Sequence, residues 1–316
     1  MTNIYNTISD PMYQKQLIDS YENENMNQRL LYQWDGWNKY YDSKNSTYQW
    51  NDILSFKDFS NFINSLFIEK NKTVFISLWC GNSETEKYIL NHLQQNEDIM
   101  YIGVDASDQM LELSIENLKD LKNEKVFLRA DFWSDEFKNE INSLSEKFDE
   151  RIFTFMWGTF WNMKYTKIIN ILNNILSKND KIWIDIWIRK SLNITEDLEL
   201  FNIYRSYLEN SWKKDFLLNK IKSDGIDIEK GELIIESQEF SDIKALQFSF
   251  YFKFEEKIEI NVKNYKITFL PWYKLKLLQI YRFDPVKFIE LFEWYHFKFL
   301  KKELKWYDGQ FLFEKK

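Results

Sequence analysis

The 316-residue chain holds one cysteine and two histidines, and that scarcity removes whole classes of chemistry. Cys80 alone can form neither an intramolecular disulfide nor a multi-thiolate metal site. His92 and His296 lie far apart with no ligand spacing around either, so no metal site is read. Only 7 Gly and 3 Pro are present, so turns must be built mainly from Asn, Asp, Ser and Lys. No run approaches the ~18 apolar residues that a membrane span needs. The opening MTNIYNTISDPMYQ lacks the basic segment and apolar run of a secretory signal. A soluble, cytoplasmic protein without membrane contact is the expectation. Basic charge is also short, since 42 Lys and Arg face 49 Asp and Glu for a net charge of −7. Phosphate backbones bind basic surfaces, so no nucleic-acid partner is expected, and the partner should be a small molecule. The run Lys298, Lys301, Lys302 and Lys305 is interrupted by Glu303 and reads as a solvated face.

What is abundant is apolar and aromatic. Hydrophobic residues at 44% and aromatics at 18% allow a sizeable core and argue against disorder. Residues 12–33 have a polar helical look, followed by the aromatic patch YQWDGWNKYYD, and an amphipathic helix is expected over Asp52–Phe67. From Thr73 to Ile188 the texture becomes regular. TVFISLW, IMYIGVD, KVFLRAD, RIFTFMWG and DKIWIDIWI read as strands, with helical stretches between them. Ser83 with Glu86 has capping-box spacing, and Ser107 caps the next helix. Strands alternating with helices in this way predict a doubly wound α/β fold with a parallel sheet and right-handed crossovers.

Residues 191–272 break the rhythm. Helical stretches lead into KALQFSFYFKFEEKIEI and YKITFL, which read as antiparallel strands. The chain then ends in a helix with Pro285 in its first turn and a hairpin, for which an Asp308-Gly309 turn is expected. Five parallel strands plus that hairpin give the strand count of a seven-stranded sheet.

In such sheets ligands sit beyond the C-terminal strand ends, near the topological switch point. After the first strand comes Trp79-Cys80-Gly81-Asn82-Ser83, a tight turn onto a helix N-terminus able to hold a carboxylate. After the second comes Asp105, placed to accept hydrogen bonds from ribose hydroxyls. After the third come Asp131, suited to an adenine amine, and Phe132, suited to cover the base. Cys80 reads as an inert loop residue with no histidine nearby.

LWCGNSETEK, YIGVDASDQMLELSIENL and RADF fall in the order and spacing of motif I, motif II and the adenine-side motif of class I S-adenosylmethionine-dependent methyltransferases. More narrowly, the chain resembles the histidine-specific (ergothioneine-pathway) methyltransferases. Phe155-Met156-Trp157-Gly158-Thr159-Phe160-Trp161-Asn162 occupies the frame of that family's fourth-strand motif, and Phe201-Asn202 resembles its later pair. The resemblance implies a Rossmann-like methyltransferase sheet with an α+β substrate-binding insertion and a helical N-terminal part. Residues 70–190 plus 273–316 would bind S-adenosylmethionine, and residues 1–69 plus 191–272 would form the substrate-binding cap. On the cofactor side it implies Trp79, Gly81, Asp105, Ala106, Asp131, Phe132 and Trp157. Asn162 would hold the substrate's amino or carboxylate group. No catalytic residue is assigned and no oligomeric state follows.

The departures carry information too. Motif I runs acid-x-Gly-x-Gly-x-Gly, and here Ser77 stands for the acid, with Trp79 and Ser83 for the outer glycines. Those two residues must tolerate positive φ or reshape the turn, and a loop of altered shape is expected. The family's late acid-x-Ser-x-Lys motif, which reads the imidazole, becomes Leu270-Pro271-Trp272-Tyr273-Lys274. Losing those polar partners points away from histidine as substrate. Among the 13 Trp, Trp157, Trp161, Trp183, Trp187 and Trp272 fall near strands or their ends and suggest an aromatic-walled pocket, with Tyr41 on its N-terminal side. The sequence therefore reads as an S-adenosylmethionine-dependent N-methyltransferase of a small amine other than histidine. Transfer to oxygen or carbon of a small aromatic or peptide stays open, as does a non-catalytic scaffold on a degenerate fold.

Overall fold

The computed structural model describes residues 4–6, 10–23, 72–93, 99–130, 135–156, 160, 164–209, 211–262, 265–305 and 307–316. The expected helix over Asp52–Phe67 and the aromatic patch before it lie outside them. The described residues form two compact units. One draws on Met1–Ile8, Gln49–Ile188 and Pro285–Lys316, and the other on Ser9–Tyr48 and Arg189–Asp284.

The first unit is built on one sheet. Its strands are β1 (Ile4–Asn6), β2 (Thr73–Leu78), β3 (Ile99–Asp105), β4 (Glu124–Arg129), β5 (Glu150–Phe155) and β6 (Lys181–Trp187), joined by a C-terminal hairpin. β2 and β3 are buried at every position, which explains their continuous apolar sequences. The connecting helices are α2 (Glu84–Leu93), α3 (Asp108–Leu118), α4 (Asp135–Ser145) and α5 (Tyr165–Ile175). A last helix, Pro285–Trp294, precedes the hairpin strands Phe297–Lys305 and Asp308–Lys315, the latter antiparallel to β6. From β4 through β3, β2, β5 and β6 to the hairpin run the seven strands of a Rossmann-like methyltransferase sheet. β1 adds an eighth at the edge, parallel to β4 with Ile4 opposite Phe127. Residues 4–6, expected in the cap, therefore belong to the central sheet because β4's outer edge is open to pair with them.

The C-terminal turn also moves. Lys305 pairs with Asp308, so Asp308-Gly309 already lies in the final strand and does not form the turn. Gly309 serves packing instead of turning: a Cβ there would come within 2.6 Å of the Phe311 ring and 2.9 Å of Ile188. The lysines of Phe297–Lys305 lie on an outermost strand, where charge discourages pairing with another chain. Beneath the hairpin Phe160 meets Phe288 at 5.4 Å and Phe292 at 5.8 Å, and Phe292 stacks on Phe313 at 4.4 Å. Trp183 is fully buried in the core, where its Nε1 donates to Gln310 Oε1 at 2.5 Å. It is a packing residue and lines no pocket wall, because strand alternation turns it inward.

The second unit contains α1 (Asp10–Glu22), α6 (Ile194–Glu209), α7 (Ser211–Ser223) and two small antiparallel sheets. β7 (Gly231–Phe240), β8 (Ala245–Phe254) and β11 (Lys274–Arg282) form one, with β8 central. β9 (Ile258–Val262) and β10 (Tyr265–Phe269) form the other. In β8 the residues Phe248, Phe250, Phe252 and Phe254 recur every second position and are all buried, the period of a strand with one face on a core. Because β11 pairs with β8, residues 273–284 sit with the insertion, so the boundary expected at residue 273 falls at Pro285. Phe254 stacks on Phe269 at 4.4 Å, and Tyr21 packs edge-on against Phe269.

Candidate functional site

The C-terminal ends of β2 and β3 are adjacent, with Leu78 opposite Val104, and they bring the first two expected site segments together. Between β2 and α2 the backbone takes positive φ at Trp79 (57°), Gly81 (55°) and Ser83 (57°). These are the three glycine positions of the motif I pattern. Trp79 and Ser83 thus adopt the left-handed turn and do not reshape it, at a cost of roughly 1–2 kcal/mol each for a residue bearing Cβ. The expectation of an altered loop is corrected accordingly. At Gly81 a Cβ would meet no atom of the described residues within 4 Å, so among them the centre of the loop faces open space.

Hydrogen bonds hold this strained turn from several sides. Cys80 N–H donates to Val104 O at 2.9 Å, and Gly81 N–H donates to Asp105 Oδ2 at 3.0 Å. Asn117 Nδ2 donates to Asn82 O at 2.8 Å. Ser83 has the backbone of an N-cap, since its carbonyl accepts from Lys87 N–H. Its hydroxyl, however, is turned inward to the Tyr101 hydroxyl at 2.9 Å and to Ser114 Oγ. Glu86 is likewise drawn inward, where its Oε1 accepts from Ser77 Oγ at 2.6 Å. The capping box read from Ser83 and Glu86 is therefore replaced by two buried contacts. The reason is helical spacing: Glu86 lies on the stripe with Ile89 and Leu90, both fully buried, so α2 delivers its carboxyl to the sheet. Ser107 does cap α3, accepting from Met110 N–H.

Asp105 lies at the end of β3 with only 9% of its surface exposed. Burial pushes its carboxyl up to about 6, against the opposing N–H groups of Ser107, Gly81 and Ala106. A carboxylate offers about four acceptor positions, so these three N–H groups leave capacity for a ligand hydroxyl. Burial likewise raises Glu86 to about 7, with the Ser77 hydroxyl opposing it. The Cys80 thiol is buried and raised well above its ordinary value by burial, then by Asp105 and Glu86. An unreactive thiol is what this environment makes.

Of the expected site residues, Trp79, Gly81, Asp105 and Ala106 come together at the ends of β2 and β3. Trp272 lies in the second unit, in the turn before β11. There it is 69% exposed, at φ 72°, with the Lys253 ammonium 5.0 Å from its ring. Tyr41, Asp131, Phe132, Trp157, Trp161 and Asn162 lie outside the described residues. The residues that sequence reasoning missed are Tyr101 and Ser114. Their signal is weak: a phenol and a hydroxyl on otherwise apolar buried faces. Among the described residues no group of three or more His, Cys, Asp or Glu could hold a metal ion. Among them, too, no helix is long and apolar enough to cross a membrane.

The groups at this site suit an adenosyl ligand with an amino-acid tail. The loop is open at Gly81, an acceptor with spare capacity stands at Asp105, and a helix N-terminus lies beside both. Comparison with known proteins agrees. The family model described as "Histidine-specific methyltransferase, SAM-dependent" matches residues 51–314. A tRNA (guanine-N(7)-)-methyltransferase of Clostridium botulinum strain Hall is 25% identical over 158 residues, covering 45% of this chain and 64% of that protein. The enzyme of strain 657 matches over the same share, so the chain spans less than two thirds of these curated relatives. Among solved structures, an S-adenosylmethionine-dependent methyltransferase from Clostridium acetobutylicum ATCC 824 is similar at TM-score 0.42 and 13% identity, covering 82% of this chain and 92% of that one. Another, from Anabaena variabilis ATCC 29413, gives TM-score 0.41 and 15% identity, covering 89% and 94%.

Proposed function

The chain belongs to the histidine-specific, S-adenosylmethionine-dependent methyltransferase family, and from that premise we propose that it N-methylates a small amine or amino-acid-like substrate other than histidine. S-adenosylmethionine, when bound, supplies an electrophilic methyl group on a sulfonium. The first unit holds it: Asp105 accepts from the ribose hydroxyls, and the Gly81 loop and α2 N-terminus receive the methionine end. Trp79 and Ala106 border that side, Asp131 and Phe132 are assigned to adenine, and Trp157 is assigned to the cofactor side. Asn162 orients the acceptor amine, with Trp161 as its aromatic neighbour in sequence, and Tyr41 and Trp272 are assigned to substrate recognition. Transfer to an amine that arrives deprotonated needs alignment and exclusion of water more than a dedicated base.

The observation against histidine is the pair Leu270 and Trp272, which stand where the family motif places an acid and a serine. Neither offers an imidazole a carboxylate or hydroxyl partner, although the family's name points to histidine. Mass spectrometry of products from a panel of amines, amino acids including histidine, phenols and a peptide tests this reading. Methylation of an amine nitrogen but not of histidine is expected, and histidine methylation would overturn it. A second reading, a nucleobase nitrogen in RNA, is favoured by the tRNA-modifying relatives and opposed by the net charge of −7. A transfer RNA belongs in the same panel.

A further inference from the structure

The Ser77 position is where the motif I pattern carries an acid, yet the loop is not without a buried carboxyl. Glu86, fully buried on the first turn of α2, meets Ser77 Oγ at 2.6 Å from the opposite end of the turn. Its second oxygen, Oε2, has no hydrogen-bond partner among the described residues. A polar atom held away from water without a partner costs free energy, so its retention there calls for a reason.

The contact closes the loop at its base. Ser77 is the residue of β2 two positions before Trp79, and Glu86 is three residues after Ser83, so their hydrogen bond spans all three left-handed positions. It is a direct side-chain link between β2 and α2 across this strained stretch. The Asp105 carboxylate grips the same turn from β3 through Gly81 N–H. We propose that Glu86 is a positioning residue that supplies, from the helix, the carboxyl which the motif I pattern places on the strand at position 77. It shapes the Gly81 loop for the methionine end of S-adenosylmethionine. This rests on the assignment of that loop to the cofactor. The titratable groups facing Glu86 are Asp105, Cys80 and Tyr101, from β3 and the loop.

The test is an exchange. S-adenosylhomocysteine binding and thermal unfolding are measured across pH 5.5–8.5, a window set about one unit or more around the Glu86 value near 7. The proteins are wild type, Glu86→Gln, Glu86→Ala and the double variant Ser77→Asp/Glu86→Ser. Glu86→Ala should weaken binding about tenfold, on the order of the loss of one buried hydrogen bond. Glu86→Gln should flatten the pH dependence of unfolding, and the double variant should return binding to within about threefold of wild type. A Glu86→Ala protein that binds as wild type does, or a double variant no better than Glu86→Ala, overturns the proposal. If wild type binds no S-adenosylhomocysteine, the cofactor assignment fails first. The thermal data then still decide whether an acid at 77 replaces the one at 86.

Discussion

Polar groups are buried in both units, but by different means. Around residues 77–105 the first unit buries carboxyls against hydroxyls and backbone N–H groups, with no cation among the described partners: Glu86 with Ser77, and Asp105 with Gly81 and Ser107. The second unit buries charge against charge. Arg189, its side chain 1% exposed, reaches both oxygens of Asp197 at 2.8 and 2.9 Å and Glu239 at 2.9 Å. Buried Lys220 meets Asp224, which also accepts from the Tyr21 hydroxyl. These ion pairs hold a small, aromatic-rich unit together, although Arg189 Nε has no hydrogen-bond partner among the described residues. The carboxyls near the loop are held at a cost, and such costs gather where a site needs shape.

The largest effect that would break this comparison lies at the loop centre. Gly81→Leu places a side chain in the open space above the turn and should abolish S-adenosylhomocysteine binding by calorimetry. Its thermal midpoint should fall by only about 2–4 °C, the shift for roughly 1 kcal/mol in a domain of this size. A Gly81→Leu protein that still binds would remove the loop from the site.

Next comes pH. Glu86 and Asp105 are raised in the folded state to about 7 and about 6. Their neutral forms are the ones the fold favours, so this stability is complete below the unfolded carboxyl values near 4 and is lost as pH rises through 6 and 7. The loss is at most roughly 3–4 kcal/mol for each group. Urea unfolding at a series of pH values should show that decline, and Glu86→Gln should remove its upper part. In the second unit Glu259 is lowered to about 2 by hydrogen bonds from Lys257 and Lys266, so its contribution runs the other way, lost only as pH falls.

Arg189→Met should cost about 2 kcal/mol by urea unfolding. That is less than the 3–5 kcal/mol typical of a broken buried pair, since Asp197 and Glu239 are 25% and 54% exposed and can return to water. S-adenosylhomocysteine binding to the folded variant should be unchanged. The smallest effect is expected for Trp79→Gly, where relief of the left-handed residue offsets lost ring contacts and a looser unfolded chain, leaving stability within about 1 kcal/mol. A much larger loss would make the indole a structural anchor.

Sequence legibility differed between the units for physical reasons. β2 to β6 were readable because buried parallel strands are continuously apolar and their helices carry local caps such as Ser107. β7 was missed because it is half-exposed to exposed along its length, so GELIIESQEF shows little alternation, and β11 because a register shift between Lys276 and Leu278 breaks its period. The hairpin was readable but its apex was not, since Asp308-Gly309 carries a turn signature while Gly309 is selected by contact with Phe311. At the site, Gly81 and Asp105 were legible by position. Glu86 was misread because the same spacing that makes a capping box also puts a residue on the helix's buried stripe. The Ser83, Tyr101 and Ser114 contacts join three elements, and no local pattern reports them.

The central claim is that a motif I with one glycine of three still makes a working cofactor loop. The most direct test is calorimetric titration of S-adenosylhomocysteine into wild type and Asp105→Ala at one pH. Saturable binding to wild type and none to the folded variant is the expected result. No heat from wild type at millimolar ligand, or equal binding by both proteins, would contradict it.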